Sequence, residues 1–483
     1  MYKTWPMKKL SILLFLTFLS VVATSCGQSV KTNDCAENYI CELISEGEYK
    51  EAADFIRLEI ATSDLSPQEI WKHNFTIERL ERIEKDFNKT EEQILEQIKE
   101  FYPNVTPEEI AKWEQSNVLE NKIINGEKKY FRNAARNVFR IDKNAGDEFV
   151  KINGRQSNTL DTFLEGYLPS VVKSTKESKR EKPIHFKIKY TLSVDADAVP
   201  AGEVLRVWMP MVRKDPKNSN IKLISTSQAN YIISPDNYSH KSIYMEKKAV
   251  AGKKTEFEYI FSYDSRNKWF DIEAKDIKPY NTNSKIYKKY TSERETHVIF
   301  SDRIKHLTDS IIGNETNPLL KAKSIYTWIN NNFPWASARE YSTIENIPEY
   351  VLDNHHGDCG QVSLLFITMA RYAGIPAKWQ SGWMLHPGAV NLHDWAEVYY
   401  EGFGWIPVDQ SFGITKSDNE DVQYYFLTGL DAYRVIVNDD FSMPFYPAKI
   451  YPRSETVDFQ RGEVEWRGGN LYFDLWDYDL EIL

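Results

Sequence analysis

The spacing of apolar positions divides the chain into regions of different period. From about Asp34 to Asp142 the period is helical. Over Glu48–Ala61, for example, Tyr49, Ala52, Ala53, Ile56 and Ile60 recur at three- and four-residue steps and define one face. Ser66-Pro67-Gln68-Glu69 and Thr106-Pro107-Glu108-Glu109 read as helix starts, with a capping hydroxyl, proline at the first helical position and glutamate in the first turn. Thr90-Glu91-Glu92 reads the same way without the proline, and Asn125-Gly126 marks the turn of a wing-like hairpin inside the helical array. Lys173–Lys182 reads as a charged linker ending at Pro183. Beyond it the period drops to two. Ile184, Phe186, Ile188, Tyr190, Leu192 and Val194 alternate with polar residues, as do Phe257, Tyr259, Phe261 and Tyr263, which predicts an antiparallel β-sandwich. From about Ser301 the pattern is mixed. Asn317-Pro318 opens one helix, and Val362, Leu365, Phe366, Met369 and Ala370 mark another that Gly374 stops. After Gly413 strands are predicted at Tyr424-Tyr425-Phe426, Val435-Ile436-Val437 and Leu471-Tyr472-Phe473, and Asp458–Trp466 reads as a β extension packed on the preceding core. The expectation is an α+β multidomain chain: a leader over 1–26, a tether over 27–33, a helical domain over 34–180, a β-sandwich over 184–290, an α+β core over 300–420 and a β-rich C-terminal extension over 421–483.

The leader changes the picture of where the chain works. Lys3, Lys8 and Lys9 precede the apolar run Leu10–Val22, followed by Ala23-Thr24-Ser25-Cys26. A basic segment, a short apolar run and small residues before a cleavage point describe an export signal, and the run is shorter than the about 20 residues a spanning helix needs. The residues before Cys26 resemble a bacterial lipoprotein box. That implies diacylation of Cys26 and an exported lipoprotein anchored to a membrane of the cell envelope, where the helical domain is expected to contact envelope protein partners or to serve as a spacer. Composition fits a globular exported protein: 42% hydrophobic and 27% charged over 483 residues. A net charge of −10 gives no attraction for nucleic acid, so none is expected as a partner. Four cysteines, Cys26, Cys35, Cys41 and Cys359, exclude a disulfide-built scaffold; Cys35 and Cys41 are close enough in sequence to close a small loop or to stay unpaired.

The candidate chemistry collects in one window. His355, His356, His386 and His393 fall between 355 and 393 together with Cys359. In Gly357-Asp358-Cys359-Gly360-Gln361, Asp358 suits a helix N-cap, which puts Cys359 in the first turn. There the helix dipole and free N–H groups favour an anion, so a thiol beside a histidine is expected to ionise easily and act as a nucleophile. His393–Tyr400 reads as a strand, Glu401-Gly402-Phe403-Gly404 as a turn and Trp405–Asp409 as a second strand. If the turn centres on Glu401, His393 and Asp409 face each other across the ladder, and the carboxylate orients the imidazole. The proposed unit is Cys359 as nucleophile, His393 as base and then acid, and Asp409 as orienter. His355 and His356 read as loop or cleft residues, and His386 as part of a loop over the cleft. A zinc site from Cys359, His355, His393 and Asp409 is conceivable by residue type, but the helix-plus-hairpin reading already accounts for these residues, so neither metal nor cofactor is expected.

Gly357-Asp358-Cys359, Arg371-Tyr372-Ala373-Gly374-Ile375-Pro376-Ala377, His393-Asp394-Trp395-Ala396-Glu397-Val398-Tyr399 and Gly404-Trp405-Ile406-Pro407-Val408-Asp409 together resemble the transglutaminase-like superfamily of papain-like thiol enzymes. The resemblance implies a Cys-His-Asp triad on a helix packed against an antiparallel sheet, and an acyl-thioester formed from a peptide or protein amide. Water as acceptor makes a peptidase or amidase; an amine makes a transglutaminase. Hydrolysis is preferred, because an envelope enzyme faces bulk water. The Cys359 N–H is expected to supply half of an oxyanion hole, with Trp335 or Gln361 as candidates for the other half. The family often has alanine after its histidine. Here Asp394 stands there, and strand alternation points it away from Asp409, with little effect expected on the triad. A catalytically idle scaffold in an envelope assembly is the alternative.

Overall fold

The computed structural model describes residues 39–154, 158–179 and 182–483. The expectations for the leader, for Cys26, for the tether and for Cys35 lie outside these residues. Cys41 is disulfide-bonded and Cys359 is free.

Helices at Tyr39–Glu46, Tyr49–Thr62, Pro67–Asp86, Glu91–Lys99, Pro107–Gln115, Ala134–Ile141 and Lys143–Asn153 form an N-terminal body. Ser66, Thr90 and Thr106 each close a capping box, which satisfies N–H groups the helix leaves free. The hairpin Asn121–Ile124/Glu127–Tyr130 turns on Asn125 and Gly126, both at positive φ, and Leu80, Ile98, Trp113 and Phe131 fill the shared core. Lys173–Lys176, the first four residues of the segment read as a linker, are instead the last turn of a helix, Thr159–Lys176. Its Leu164, Leu168, Val171 and Val172 pack on Trp269, Tyr425 and Phe426. Each such side chain contributes about 1.5–3 kcal/mol on burial, so this apolar face holds the charged end in a helix.

The β-sandwich has two antiparallel sheets. One orders Gly469–Leu471, Glu463–Trp466, Val204–Pro210, Ser242–Lys248 and Tyr231–Ile233; the other orders Trp476–Ile482, Ile184–Val194, Thr255–Ser265 and Asn218–Thr226. The alternating residues Ile188, Tyr190, Phe257 and Tyr259 meet Val207, Met209 and Met245 in one core. The C-terminal strands therefore complete the sandwich rather than extending the 300–420 core. Their free ladder groups are satisfied by Val204–Pro210 and Ile184–Val194, pairings between residues more than 250 apart that local pattern does not encode. Tyr424-Tyr425-Phe426 is likewise not a strand: Glu420–Gln423 is helical and Tyr425–Leu427 a 3-10 turn, buried against the Thr159–Lys176 helix.

The remaining unit is a four-stranded antiparallel sheet ordered Gly404–Val408, Ala389–Tyr400, Ala377–His386 and Arg434–Asn438, with the helix Cys359–Tyr372 laid across it. Leu365, Phe366 and Met369 of that helix pack on Ala396, Val398 and Tyr400. Trp383 joins this sheet to the sandwich by stacking on Tyr190 at 5.2 Å. The N-terminal body grips the segment leading to the helix. Asp86 accepts the Glu340 N–H at 2.9 Å, Asn137 donates to the Ser337 carbonyl at 3.0 Å, and the Arg140 guanidinium lies 4.8 Å over the Trp335 ring. Among the described residues no helix is long and apolar enough to cross a membrane.

Candidate active site

Cys359 is the first residue of its helix. The Asp358 carboxylate accepts the Gln361 N–H at 3.0 Å, and Gln361 Oε1 accepts the Asp358 N–H at 3.1 Å, a reciprocal cap that fixes the first turn. Gly360 is required there: a Cβ would stand 2.2 Å from the Tyr341 hydroxyl and 2.8 Å from Asp394 Oδ2. The Tyr341 hydroxyl donates to Asp358 Oδ1 at 2.7 Å. The segment gripped by the N-terminal body thus reaches the nucleophile's cap.

His393 and Asp409 come together, but by a register different from the one predicted. Tyr400 pairs with Gly404 and Ala396 with Val408, so the turn centres on Gly402 rather than Glu401. The shift is by two residues, and side chains alternate with a period of two. Asp409 therefore stays on the His393 face as a diagonal neighbour, the position from which a carboxylate still reaches. His393 Nε2–H donates to Asp409 Oδ2 at 2.8 Å, which leaves Nδ1 as the ring nitrogen to meet a thiol. Arg434 shares that oxygen, donating from Nη2 at 2.8 Å. Asp409 and Arg434 are fully buried, as are Asp431 and His386, which extend the network: Arg434 Nη1 lies 3.3 Å from Asp431 Oδ2, and His386 Nε2 lies 3.0 Å from the same oxygen. Burial alone would raise the Asp409 carboxyl; His393 and then Arg434 outweigh it and hold it below the usual range. Burial pushes the His393 imidazole down against the pull of Asp409, so it rests neutral.

The thiol does not hydrogen-bond to His393. Cys359 donates to Asp394 Oδ2 at 3.3 Å, on the opposite side of the strand from the Asp409 pair. Two expectations are corrected here. Asp394 is the carboxyl at the nucleophile rather than a bystander, and Cys359 is not easily ionised. Burial, then the charges of Asp394 and Asp358, push its thiol well above the ordinary value and outweigh the helix dipole.

The other candidates separate cleanly. The Cys359 N–H sits in the first helical turn, where no intrahelical acceptor is available. Trp335 is 48% exposed and lines a cavity of about 170 Å³ with Phe333, Gly357, Val362 and Gln410, beside the nucleophile's helix and the residue after Asp409. The Gln361 side chain is fully buried, its oxygen used in the cap and its Nε2 without a hydrogen-bond partner. His355 is an exposed left-handed C-cap, whereas His356 is buried against Tyr350 and pushed down to about 4 by burial. His386 is not in a loop over the cleft: it ends a strand, buried on Asp431 and Arg434. No group of three potential metal ligands occurs among the described residues. Sequence reasoning missed Arg434, though a lone arginine opening the run Val435-Ile436-Val437 is a signal for a buried ion pair. It also gave Asp458 and Gln460 no role.

Residues 305–410 match the transglutaminase-like superfamily. An uncharacterised protein of Haemophilus influenzae is 29% identical over 36% of this chain and 54% of its own length. The uncharacterised protein YebA of Bacillus subtilis is 25% identical over 27% of this chain and 21% of its own. The chain thus spans about half of the first relative and about a fifth of the second. A candidate cysteine protease of Cytophaga hutchinsonii of known structure aligns over 62% of this chain and 99% of its own, with 15% identity and a TM-score of 0.40. What the chain shares with the transglutaminase-like superfamily is thus the stretch 305–410, which holds Cys359, His393 and Asp409.

Proposed function

We propose that the protein is a thiol hydrolase acting on peptide or protein amides through an acyl-thioester on Cys359. The observation that carries this reading is the buried His393–Asp409 pair at 2.8 Å, one residue along the strand from the group that meets the thiol. The thiol and imidazole both rest neutral, so the reaction starts with general-base transfer rather than from a preformed ion pair. Once the thiol has turned from Asp394 toward His393, the sulfur lone pair bonds to the amide carbonyl carbon as the thiol proton passes to His393 Nδ1. The carbonyl π electrons move to oxygen, facing the Cys359 N–H. Asp409 stabilises the imidazolium through Nε2, and Arg434 fixes Asp409. On collapse the C–N bond breaks and the amine leaves with the proton from His393; water then repeats the steps and frees Cys359. The cavity beside Trp335 and Gln410 receives a side chain of the acyl donor. Export and lipid anchoring through Cys26 complete the proposal, on the strength of the leader alone.

Digestion of a peptide library, with incorporation of a labelled amine followed in parallel, tests this. Wild type is expected to hydrolyse amides with no amine incorporated, and Cys359→Ala to do neither. Incorporation matching hydrolysis would make the protein a transferase. A second reading, an idle scaffold, is favoured by the Cys359–Asp394 hydrogen bond, which leaves the thiol turned to a carboxylate instead of a base. Identical digests from wild type and Cys359→Ala would establish it.

A further inference from the structure

We propose that Asp394 is a fourth residue of the active site, holding the Cys359 thiol in its resting position between turnovers, and that the C-terminal Asp458-Phe459-Gln460-Arg461 segment is the wall that sets it. This rests on the reading of Cys359 as the nucleophile.

Asp394 touches the reacting atom: Oδ2 is 3.3 Å from Sγ. The carboxyl cannot swing away. Gln460 Nε2 donates to its Oδ1 at 2.7 Å and, from the same nitrogen, to the His393 carbonyl at 2.8 Å. One side chain of the C-terminal segment thereby fixes both successive residues of the strand, the one that carries the base and the one that meets the thiol. From the opposite wall the Tyr341 hydroxyl lies 3.4 Å from Oδ2.

The charges around Asp394 set the thiol's protonation. Asp358 faces it from the helix cap, Glu455 and Asp458 from the C-terminal segment, and Asp458 is hydrogen-bonded to it. Arg461 and Arg453 are the cations that face this group, and Arg461 is divided between Glu340 at 2.5 Å and Glu455 at 3.5 Å. The pocket therefore has more carboxyls than cations. Burial and mutual repulsion push both Asp394 and Asp458 up; Asp458 keeps the proton that it donates to Asp394, and Asp394 also accepts the hydrogen bond of the Cys359 thiol. A thiolate opposite this group is disfavoured, whereas a neutral thiol is held by it. The product of attack is a neutral thioester sulfur, so the same surroundings disfavour the free thiolate without opposing the acylated state. The thiolate is also the form that oxidants and alkylating agents attack, and a free thiol so held is protected between turnovers.

The rate of Cys359 alkylation by iodoacetamide as a function of pH, mapped by mass spectrometry on the full chain, tests the role without turnover. In wild type the midpoint is expected above about 8.5, the ordinary cysteine value. Asp394→Asn should lower it by about one pH unit or more, a tenfold faster alkylation at neutral pH. Gln460→Met, which frees Asp394 and leaves its carboxyl in place, should move it the same way by less. A wild-type midpoint at or below about 8.5 overturns the proposal whether or not either variant folds. So does an unmoved profile in a folded Asp394→Asn. Loss of peptide hydrolysis with an elevated midpoint would instead count against the hydrolase reading and leave Asp394's role standing.

Discussion

The two faces of the Ala389–Tyr400 strand carry opposite electrostatics within one residue of each other. On the His393 face every charge has a partner: Asp409 lies between His393 and Arg434, and Arg434 also meets Asp431. On the Asp394 face carboxyls gather at a thiol and outnumber the guanidinium groups of Arg461 and Arg453. Both faces are buried, so desolvation acts on both alike. What differs is whether the neighbours repay it. Where they do, a carboxyl stays charged and can support an imidazolium; where they do not, protons are retained and the nucleophile stays neutral. A strand that alternates its side chains can thus place a base and a restrained thiol next to each other in sequence without mixing their fields.

The comparison can be broken most strongly from the paired side. Arg434→Met leaves Asp409 and Asp431 buried without their cation and should cost about 3–5 kcal/mol in urea unfolding at neutral pH. The acidic side has one strong clamp, at Glu340. Burial would raise its carboxyl, but Arg461 and Arg132 outweigh this and hold it at about 2. Its folded value lies below the unfolded one of about 4.3, so its stabilisation is complete above that pH and is lost as the pH falls through 2. Wild type should exceed Glu340→Gln by up to about 3 kcal/mol at neutral pH, with the gap closing between pH 4.3 and 2 in unfolding curves. Gly360→Ala drives a methyl into Tyr341 and Asp394 and should cost about 1–3 kcal/mol by the same measurement. Asp458→Asn should have the smallest effect, within about 1 kcal/mol and toward greater stability, because it removes a carboxyl from the crowded side and keeps a donor to Asp394.

Much of this was legible in the sequence where local physics decides. The capping boxes at Ser66, Thr90 and Thr106, the Asn125-Gly126 turn and the alternation of Ile184–Val194 follow from short-range rules. Cys359 at a helix start and His393 with Asp409 were equally readable, and the latter pair meets despite a two-residue error in register because the error is even. The side of the strand that the thiol would face was not readable. It depends on how the Cys359–Tyr372 helix lies across the sheet and on Gly360, Tyr341 and Gln460 converging from segments far apart in the chain. The C-terminal strands escaped for the same reason, since Glu463–Trp466 and Trp476–Ile482 pair with strands more than 250 residues earlier in the chain. Arg434 looked like one charge beside an apolar run until Asp409 and Asp431 appeared around it.

The most direct test of the central claim is the formation of an acyl-enzyme, followed by intact-protein mass spectrometry after mixing with an activated peptide ester. The predicted result is one acyl group on Cys359 in wild type, none in Cys359→Ala, and formation slowed about a hundredfold or more in His393→Ala, the usual contribution of a general base. Acylation elsewhere, or at an undiminished rate in His393→Ala, would contradict the assignment of nucleophile and base.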